Sequence, residues 1–212
     1  MRYTNADILD IWEQYDVLVH GCNCFHTMGK GVAAVIKDKW PFAMKADLKT
    51  KKGDREKLGT LSYAVYDYPD HKFTVVNAYT QYNMATAKNK KVFDYKAMSS
   101  AMSLLKKSFG GKRILMPMIG AGLAGGDWGD IRDIIERELS REDVVVAVPN
   151  EETYYDLLTE EGLRNQGNNI ESYKKGAHSL MGVFVGKSMK SVHGNVDHVK
   201  LSNKIYNYIK NK

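Results

Sequence analysis

Two short glycine-bearing segments concentrate most of the chemistry this sequence can offer. Gly21 to Gly31 reads GCNCFHTMGKG, and Gly120 to Asp127 reads GAGLAGGD. Glycine lets the backbone approach a ligand closely and take positive φ. Main-chain N–H groups at a helix start then bind anions. Two such loops facing one crevice suit a diphosphate. The first loop also carries His26, three residues after Asn23. A histidine near neutral pH serves as acid or base; its plainer role is to cap a backbone carbonyl. Asp127 reads either as a base or, more simply, as the N-cap of a helix starting at Trp128.

Neither loop ends in the G-K-[ST] of a triphosphate-binding loop, since no Ser or Thr follows Gly29-Lys30-Gly31. Nor does an acidic residue about 20 positions beyond a G-x-G-x-x-G turn mark a dinucleotide ribose. Cys22 and Cys24 fall where a strand ends, and their side chains are expected on opposite sides. Without a second Cys or His pair nearby, zinc is not expected. His193, Asp197 and His198 read as scattered surface residues. No metal and no cofactor are expected.

The elements that must hold these loops alternate. Asp16–Cys22 is a short apolar, β-branched run ending at glycine, the pattern of a buried strand. Gly31–Trp40 reads as a helix closed by Pro41. Leu58–Asp67 and Lys72–Tyr79 read as strands joined by a turn at Pro69-Asp70, short enough for antiparallel pairing. Tyr95, Met98, Met102, Leu105 and Phe109 mark one apolar helix face, as do Ile131, Ile134, Ile135 and Leu139. Arg113–Met118 and Val144–Val148 are further strands, and Glu151–Thr159 is a short helix. Strands alternating with helices imply a mostly parallel sheet covered on both faces. Ligands of such sheets collect beyond the carboxyl ends of the strands, where both glycine loops lie. Tyr63, Tyr66, Tyr68, Tyr79 and Tyr82 are expected mostly to pack on strands. Gly162–Asn169 reads as a linker. Leu201, Ile205, Tyr208 and Ile209 predict an amphipathic helix over Val199–Lys212.

The chain has 212 residues, 43% of them hydrophobic, enough for one good-sized core plus a small extra element. Glu160–Lys212 holds nine Lys or Arg and four Asp or Glu, a net +5 of the chain's +6. A basic tail attracts nucleic acid or another polyanion, or is simply a solvated lysine-rich extension. There is no run of 18 or more apolar residues, so no membrane partner is expected. Met1–Asp10 lacks the pattern of a signal peptide, and only two cysteines are present. A cytoplasmic location is the expectation.

The segments LVHGCNCFHTMGKGVAAVIKDKWP, LGT, NAYTQ and PMIGAGLAGGDW, in that order, resemble the macro-domain family. Within it they are most similar to the branch of ADP-ribose-1″-phosphate phosphatases and terminal ADP-ribose glycohydrolases. The resemblance covers residues 1–158. It implies a three-layer α/β/α domain there, with a mixed, mostly parallel central sheet, and leaves 159–212 as a basic, helical C-terminal extension. It implies binding of ADP-ribose or ADP-ribose-1″-phosphate. Asp7 then accepts from the adenine amino group, unless it serves only as a helix N-cap. Asn23 orients the distal ribose, unless it only forms a turn. Gly29, Lys30, Gly31 and Val32 touch the distal ribose and diphosphate. Gly120, Ala121, Gly122, Leu123, Ala124 and Gly125 wrap the diphosphate through main-chain N–H groups. Ile8, Cys22 and Ile119 complete the ligand-binding set, and Asn150 borders the adenine pocket.

The implied activity is hydrolysis of ADP-ribose-1″-phosphate to ADP-ribose and phosphate, with Asn23, His26 and Asp127 as catalytic groups. A non-catalytic reader of ADP-ribosylated targets and a de-ADP-ribosylating hydrolase are the alternatives. The glycohydrolases' lysine and aspartate align with Gln81 and Ala124, and Lys88, Lys90 and Lys91 fall at the wrong spacing. A covalent lysine mechanism is therefore not expected.

Overall fold

The computed structural model of the protein describes residues 1–211. Its six strands are β1 (Arg2–Thr4), β2 (Val17–Asn23), β3 (Leu61–Asp67), β4 (Lys72–Gln81), β5 (Arg113–Pro117) and β6 (Asp143–Ala147). They form one sheet in the order β1-β6-β5-β2-β4-β3. β1 pairs parallel with β6, and β2 pairs parallel with both β4 and β5. β3 and β4 pair antiparallel, as their short connection requires. The α/β fold with a mixed, mostly parallel sheet is thus the observed one. β1, only three residues long, carried no periodic signal and was not anticipated.

The chain forms two compact units. The first comprises Met1 and Ile8–Val144, the second Arg2–Asp7 and Val145–Lys212. In the first unit the helices are α1 (Ile8–Ile11), α2 (Gly31–Lys39), α3 (Pro41–Leu48), α4 (Tyr95–Phe109) and α5 (Trp128–Glu138). Val17, Leu18, Val19, Ile114, Leu115 and Met116 are all buried, as expected of parallel strands covered on both faces. α4 buries Met98, Met102 and Leu105, and its N-cap Asp94 accepts from the Ala97 N–H at 2.9 Å. Tyr95 was expected on that buried face. It is exposed instead, at the first helical position, where its hydroxyl accepts the Asp127 N–H at 2.8 Å.

Pro41 does not merely close a helix. α2 ends at Lys39, and Pro41 opens α3 at its first position, where a missing N–H costs nothing. That helix was not read from the sequence, and it turns out to brace the first glycine loop.

The second unit carries α6 (Glu151–Leu163), α7 (Gly167–Lys174), α8 (Met181–Met189) and α9 (His198–Lys210). The expected linker over Gly162–Asn169 is instead the end of α6, a short turn and the start of α7. Gly162 is a packing glycine: an added Cβ would meet Ser188 Oγ and lie 2.7 Å from the Phe184 carbonyl oxygen. Its lack of a side chain lets α8 approach α6. α9 buries Leu201, Ile205 and Ile209, the face its spacing predicts; Lys212, at the end of the predicted helix, lies outside the described residues. Part of the basic charge is compensated locally, with Lys200 paired to Glu151 at 2.7 Å and Lys204 to Asp156 at 2.6 Å. Among the described residues no helix is long and apolar enough to cross a membrane, and no cluster of three or more His, Cys, Asp or Glu could hold a metal.

Candidate functional site

β2 and β5 are neighbours, so the loops that follow them meet. A Cβ on Gly21 would lie 3.0 Å from Ile119 Cγ2, and one on Gly31 would lie 3.6 Å from Leu123 Cδ1. Residues Gly29 to Val32 and Gly120 to Leu123 therefore sit on adjoining loops of the first unit.

The first loop begins where the β2–β4 register shifts between Cys22 and Asn23. Asn23 is buried and turns the chain by itself. Its Nδ2 donates to Thr27 Oγ1 at 2.6 Å and to the Thr27 carbonyl at 3.1 Å, while its Oδ1 accepts the Phe25 N–H at 2.8 Å. His26 follows with φ of 60°, a left-handed conformation rare for residues with a side chain. α2 then starts at Gly31, also left-handed, and no side chain caps it. Its first-turn N–H groups lack intrahelical partners, and Lys30 and Val32 are exposed beside them.

Cys22 and Cys24 do not diverge as expected. Both are buried in one cluster with Met28 and Tyr79, because strand alternation sends residues i and i+2 to the same face. Burial pushes both thiols up, so neither is a ready nucleophile.

In the second loop, among the described residues, the main-chain N–H groups of Gly122, Leu123 and Ala124 have no acceptor in the protein. The loop is shaped from beneath by residues 90–93. Val92 and Phe93 donate to the Ala124 carbonyl at 3.0 and 3.2 Å. A Cβ on Gly120 would meet the Phe93 ring, and one on Gly125 would meet the Lys90 carbonyl oxygen. Both have positive φ, 81° and 72°. Packing and backbone conformation therefore demand glycine at 120 and 125. Gly29 and Gly122 differ: no atom lies within 4 Å of an added Cβ, and neither has positive φ.

Asp127 takes the capping role. It accepts the Asp130 N–H at 3.1 Å at the start of α5. Asn150 likewise caps α6, accepting the Thr153 N–H at 2.9 Å; it and the exposed Asp7 belong to the second unit. Ile8 opens α1 in the first unit, Ile119 is buried, and Ala121 is partly exposed. Gln81, in the place of the glycohydrolase lysine, donates to the Asn83 carbonyl at 2.8 Å, and Lys88, Lys90 and Lys91 are exposed.

Behind the first loop lies a buried polar network that sequence reasoning missed. His20 Nε2 is 2.8 Å from Asn77 Oδ1; Asn77 Nδ2 donates to Ser62 Oγ at 3.0 Å; Ser62 Oγ is 2.7 Å from the Tyr79 hydroxyl; and that hydroxyl donates to Asp47 Oδ1 at 2.7 Å. Desolvation pushes His20 down to about 4, so near neutral pH its ring is uncharged and Nε2–H is the donor. Burial pushes the Tyr79 phenol up. Lys57 reaches the same Asp47 oxygen at 3.1 Å. Thr50 spends its hydroxyl proton on the Asp47 carbonyl at 2.6 Å, so at 3.0 Å it accepts from His26 Nε2–H. In the neutral ring Nδ1 is then the basic nitrogen. One clue was present: Trp40, Ala43 and Asp47 share a helical face at three- and four-residue spacing, and all three are buried.

The sequence profile of the Macro domain family matches residues 19–135. An uncharacterized 17.5 kDa protein from the tk-vs intergenic region of Enterobacteria phage T4 is 36% identical over 154 residues, 69% of this chain and 94% of the phage protein. Among solved structures, a protein of unknown function from Bacteroides thetaiotaomicron superposes with a TM-score of 0.58 at 24% identity, covering 69% of this chain and 96% of that one. The macrodomain of Mycobacterium tuberculosis DarG gives 0.56 at 19% identity, covering 71% and 97%. Thermosipho africanus DarTG, solved in complex with ADP-ribose, gives 0.54 at 20% identity, covering 69% of this chain and 41% of that one. At these identities the structural likeness is one of fold.

Proposed function

This chain belongs to the macro domain family, and we propose that it binds ADP-ribose across its two adjoining glycine loops. One observation carries the reading: the unpaired N–H groups of Gly122, Leu123 and Ala124 beside the uncapped start of α2. Free main-chain donors at a helix start are an anion site, and two sets of them match a diphosphate. Asn23 and the Gly29–Val32 turn serve the distal ribose in this reading, as the family resemblance implies. The complex of Thermosipho africanus DarTG with ADP-ribose supports it from a neighbour of the same fold.

The second reading adds hydrolysis of ADP-ribose-1″-phosphate: water attacks phosphorus, breaking the P–O bond so that the anomeric oxygen leaves with ADP-ribose as its hydroxyl, or attacks the anomeric carbon, breaking the C–O bond so that phosphate leaves with the bridging oxygen; both routes give ADP-ribose and phosphate. It is favoured by the orientation of His26, whose Nε2 is engaged by Thr50 3.0 Å away and lies 3.8 Å from Asp47 Oδ1. An imidazole held from one nitrogen presents the other for proton transfer. Phosphate release from ADP-ribose-1″-phosphate tests this step. Tight ADP-ribose binding without release leaves the protein a reader or a hydrolase of a different ADP-ribose conjugate.

Gly122→Ala separates ligand from fold. Its Cβ meets nothing in the protein, so stability is expected to change by no more than about 0.5 kcal/mol, as for neutral surface substitutions, and the melting temperature to stay near that of the wild type. A bound diphosphate would be displaced from at least one charge-assisted N–H bond, and ADP-ribose affinity is expected to fall roughly 10- to 100-fold. Unchanged affinity in calorimetry would remove Gly122 from the site.

A further inference from the structure

We propose that the buried ion pair Asp47–Lys57 is a positioning device for the first glycine loop, holding the backbone that presents its N–H groups to ligand; the proposal rests on the ADP-ribose reading for its purpose.

Both side chains are almost inaccessible, 1% for Asp47 and 7% for Lys57, and Lys57 Nζ lies 3.1 Å from Asp47 Oδ1. Desolvating two charges is costly, and apolar residues of similar volume often serve stability equally well. Moreover, Asp47 Oδ2 is buried with no partner in the protein. A buried carboxylate oxygen left without a partner costs stability.

The pair does what an apolar substitute cannot. Lys57 Nζ donates to the Cys24 carbonyl at 3.3 Å, the carbonyl that also accepts the Gly53 N–H at 2.8 Å. The Cys24 N–H donates to the Tyr82 carbonyl at 3.0 Å. The main chain at the root of the loop is thus fixed at both its donor and its acceptor. Lys57 Nζ also sits 4.4 Å from the centre of the Tyr79 ring, and the Tyr79 hydroxyl donates to the same Asp47 oxygen, so the ammonium has little freedom to leave. At His26 the loop is met by Thr50, whose hydroxyl donates to the main-chain carbonyl of Asp47 and accepts from the left-handed His26, and by the Asp47 carboxylate, whose Oδ1 lies 3.8 Å from His26 Nε2. α3 and residues 50–57 therefore grip the loop at Cys24 and at His26, both within the turn over residues 23–27 that Asn23 makes. Two donors, Lys57 Nζ and the Gly53 N–H, and two acceptors, the Tyr82 carbonyl and the Thr50 hydroxyl, converge from separate segments on a loop that carries positive φ at His26, a conformation that costs energy in a residue with a side chain unless its surroundings hold it.

The test is a double variant, Asp47→Asn with Lys57→Met, which removes both charges together and so leaves no lone buried ion. Three quantities are measured: the melting temperature, amide hydrogen exchange in the unliganded protein, and ADP-ribose affinity. The expected result is a melting temperature close to that of the wild type, with exchange at Cys24, Phe25 and Gly53 accelerated about tenfold or more, and exchange at Gly125 and Gly126 of the second loop unchanged. Affinity is expected to fall by about tenfold. A folded double variant with unaltered exchange in the first loop would overturn the proposal. Asp47→Ala with Lys57→Met also removes both charges and serves if the first double variant does not fold; it must likewise accelerate exchange at Cys24 and Gly53, and unaltered exchange there overturns the proposal. Because the exchange measurement needs no ligand, a wild-type protein that fails to bind ADP-ribose would defeat the proposed function while leaving this inference to be decided separately.

Discussion

Replacing Gly125 by alanine is expected to destabilise the protein by about 2–5 kcal/mol and to abolish measurable ADP-ribose binding. Two penalties combine. The residue sits at φ of 72°, where a side chain costs about 1–2 kcal/mol. The new Cβ would also run into the Lys90 carbonyl oxygen, with the Lys91 Cα only 3.4 Å away. These are backbone atoms of a segment tied to the same loop by two hydrogen bonds to Ala124, so they cannot swing aside as a flexible side chain would. Forcing the contact shifts the loop or residues 90–93, a strain of about 1–3 kcal/mol. Either shift moves the N–H groups of Gly122, Leu123 and Ala124. Thermal unfolding and a ligand titration on the purified variant check both halves. A variant as stable as the wild type would mean that the loop is not held against Lys90 as described. Gly122→Ala is the matched control, since it adds the same methyl group to open space.

Acidification is expected to weaken the fold by on the order of 3 kcal/mol between pH 6.5 and 4, through His20 alone. The ring is fully buried and desolvation pushes it from 6.5 down to about 4. Above pH 6.5 neither the folded nor the unfolded chain carries the proton, and His20 contributes no slope. Between the two values the unfolded chain binds the proton and the folded chain does not, so each step down in pH favours unfolding. Below about 4 both states are protonated and the penalty levels off. Asp16 acts in a lower window: its hydrogen bond with Arg113 holds the carboxylate below its ordinary 3.8, so its stabilisation is lost only as pH falls further. His20→Gln keeps an N–H donor for Asn77 and removes the titration. Melting temperatures of the wild type and His20→Gln, recorded from pH 7 to 4, should diverge in slope across this window; parallel curves would contradict the assignment.

The parts of this molecule that were legible in the sequence are those where one local pattern decides the outcome. β2 and β5 carry the apolar runs Val17–Val19 and Ile114–Met116 because both faces are covered, and a glycine stands close after each, at 21 and at 120. α4 and α9 show their buried faces at helical spacing. The loops' glycines were equally visible, but their reasons were not. Gly120 and Gly125 are set by Phe93 and Lys90, more than 20 residues away in the chain, whereas Gly29 and Gly122 have no such neighbour. Long-range contacts also explain the misses. Gly162 resembles a linker residue until α8 is seen lying against it. Pro41 resembles a stop until α3 is seen starting from it. Asp47 and Lys57 lie in a stretch crowded with charge, KADLKTKKGDREK. Nothing local distinguishes the two that are buried from the many that are solvated, beyond the spacing of Asp47 from Ala43 and Trp40. Of the candidate catalytic groups, Asn23 and Asp127 each satisfy their own turn or helix end, roles that short side chains with an oxygen take readily.

The central claim is that the two glycine loops together hold ADP-ribose. Isothermal titration calorimetry of the full chain with ADP-ribose at near-neutral pH tests it most directly. Saturable binding of one ligand per chain, weakened in Gly122→Ala at unchanged melting temperature, is the predicted result. Absence of any binding heat or competition at millimolar ligand, with the protein folded, would contradict it.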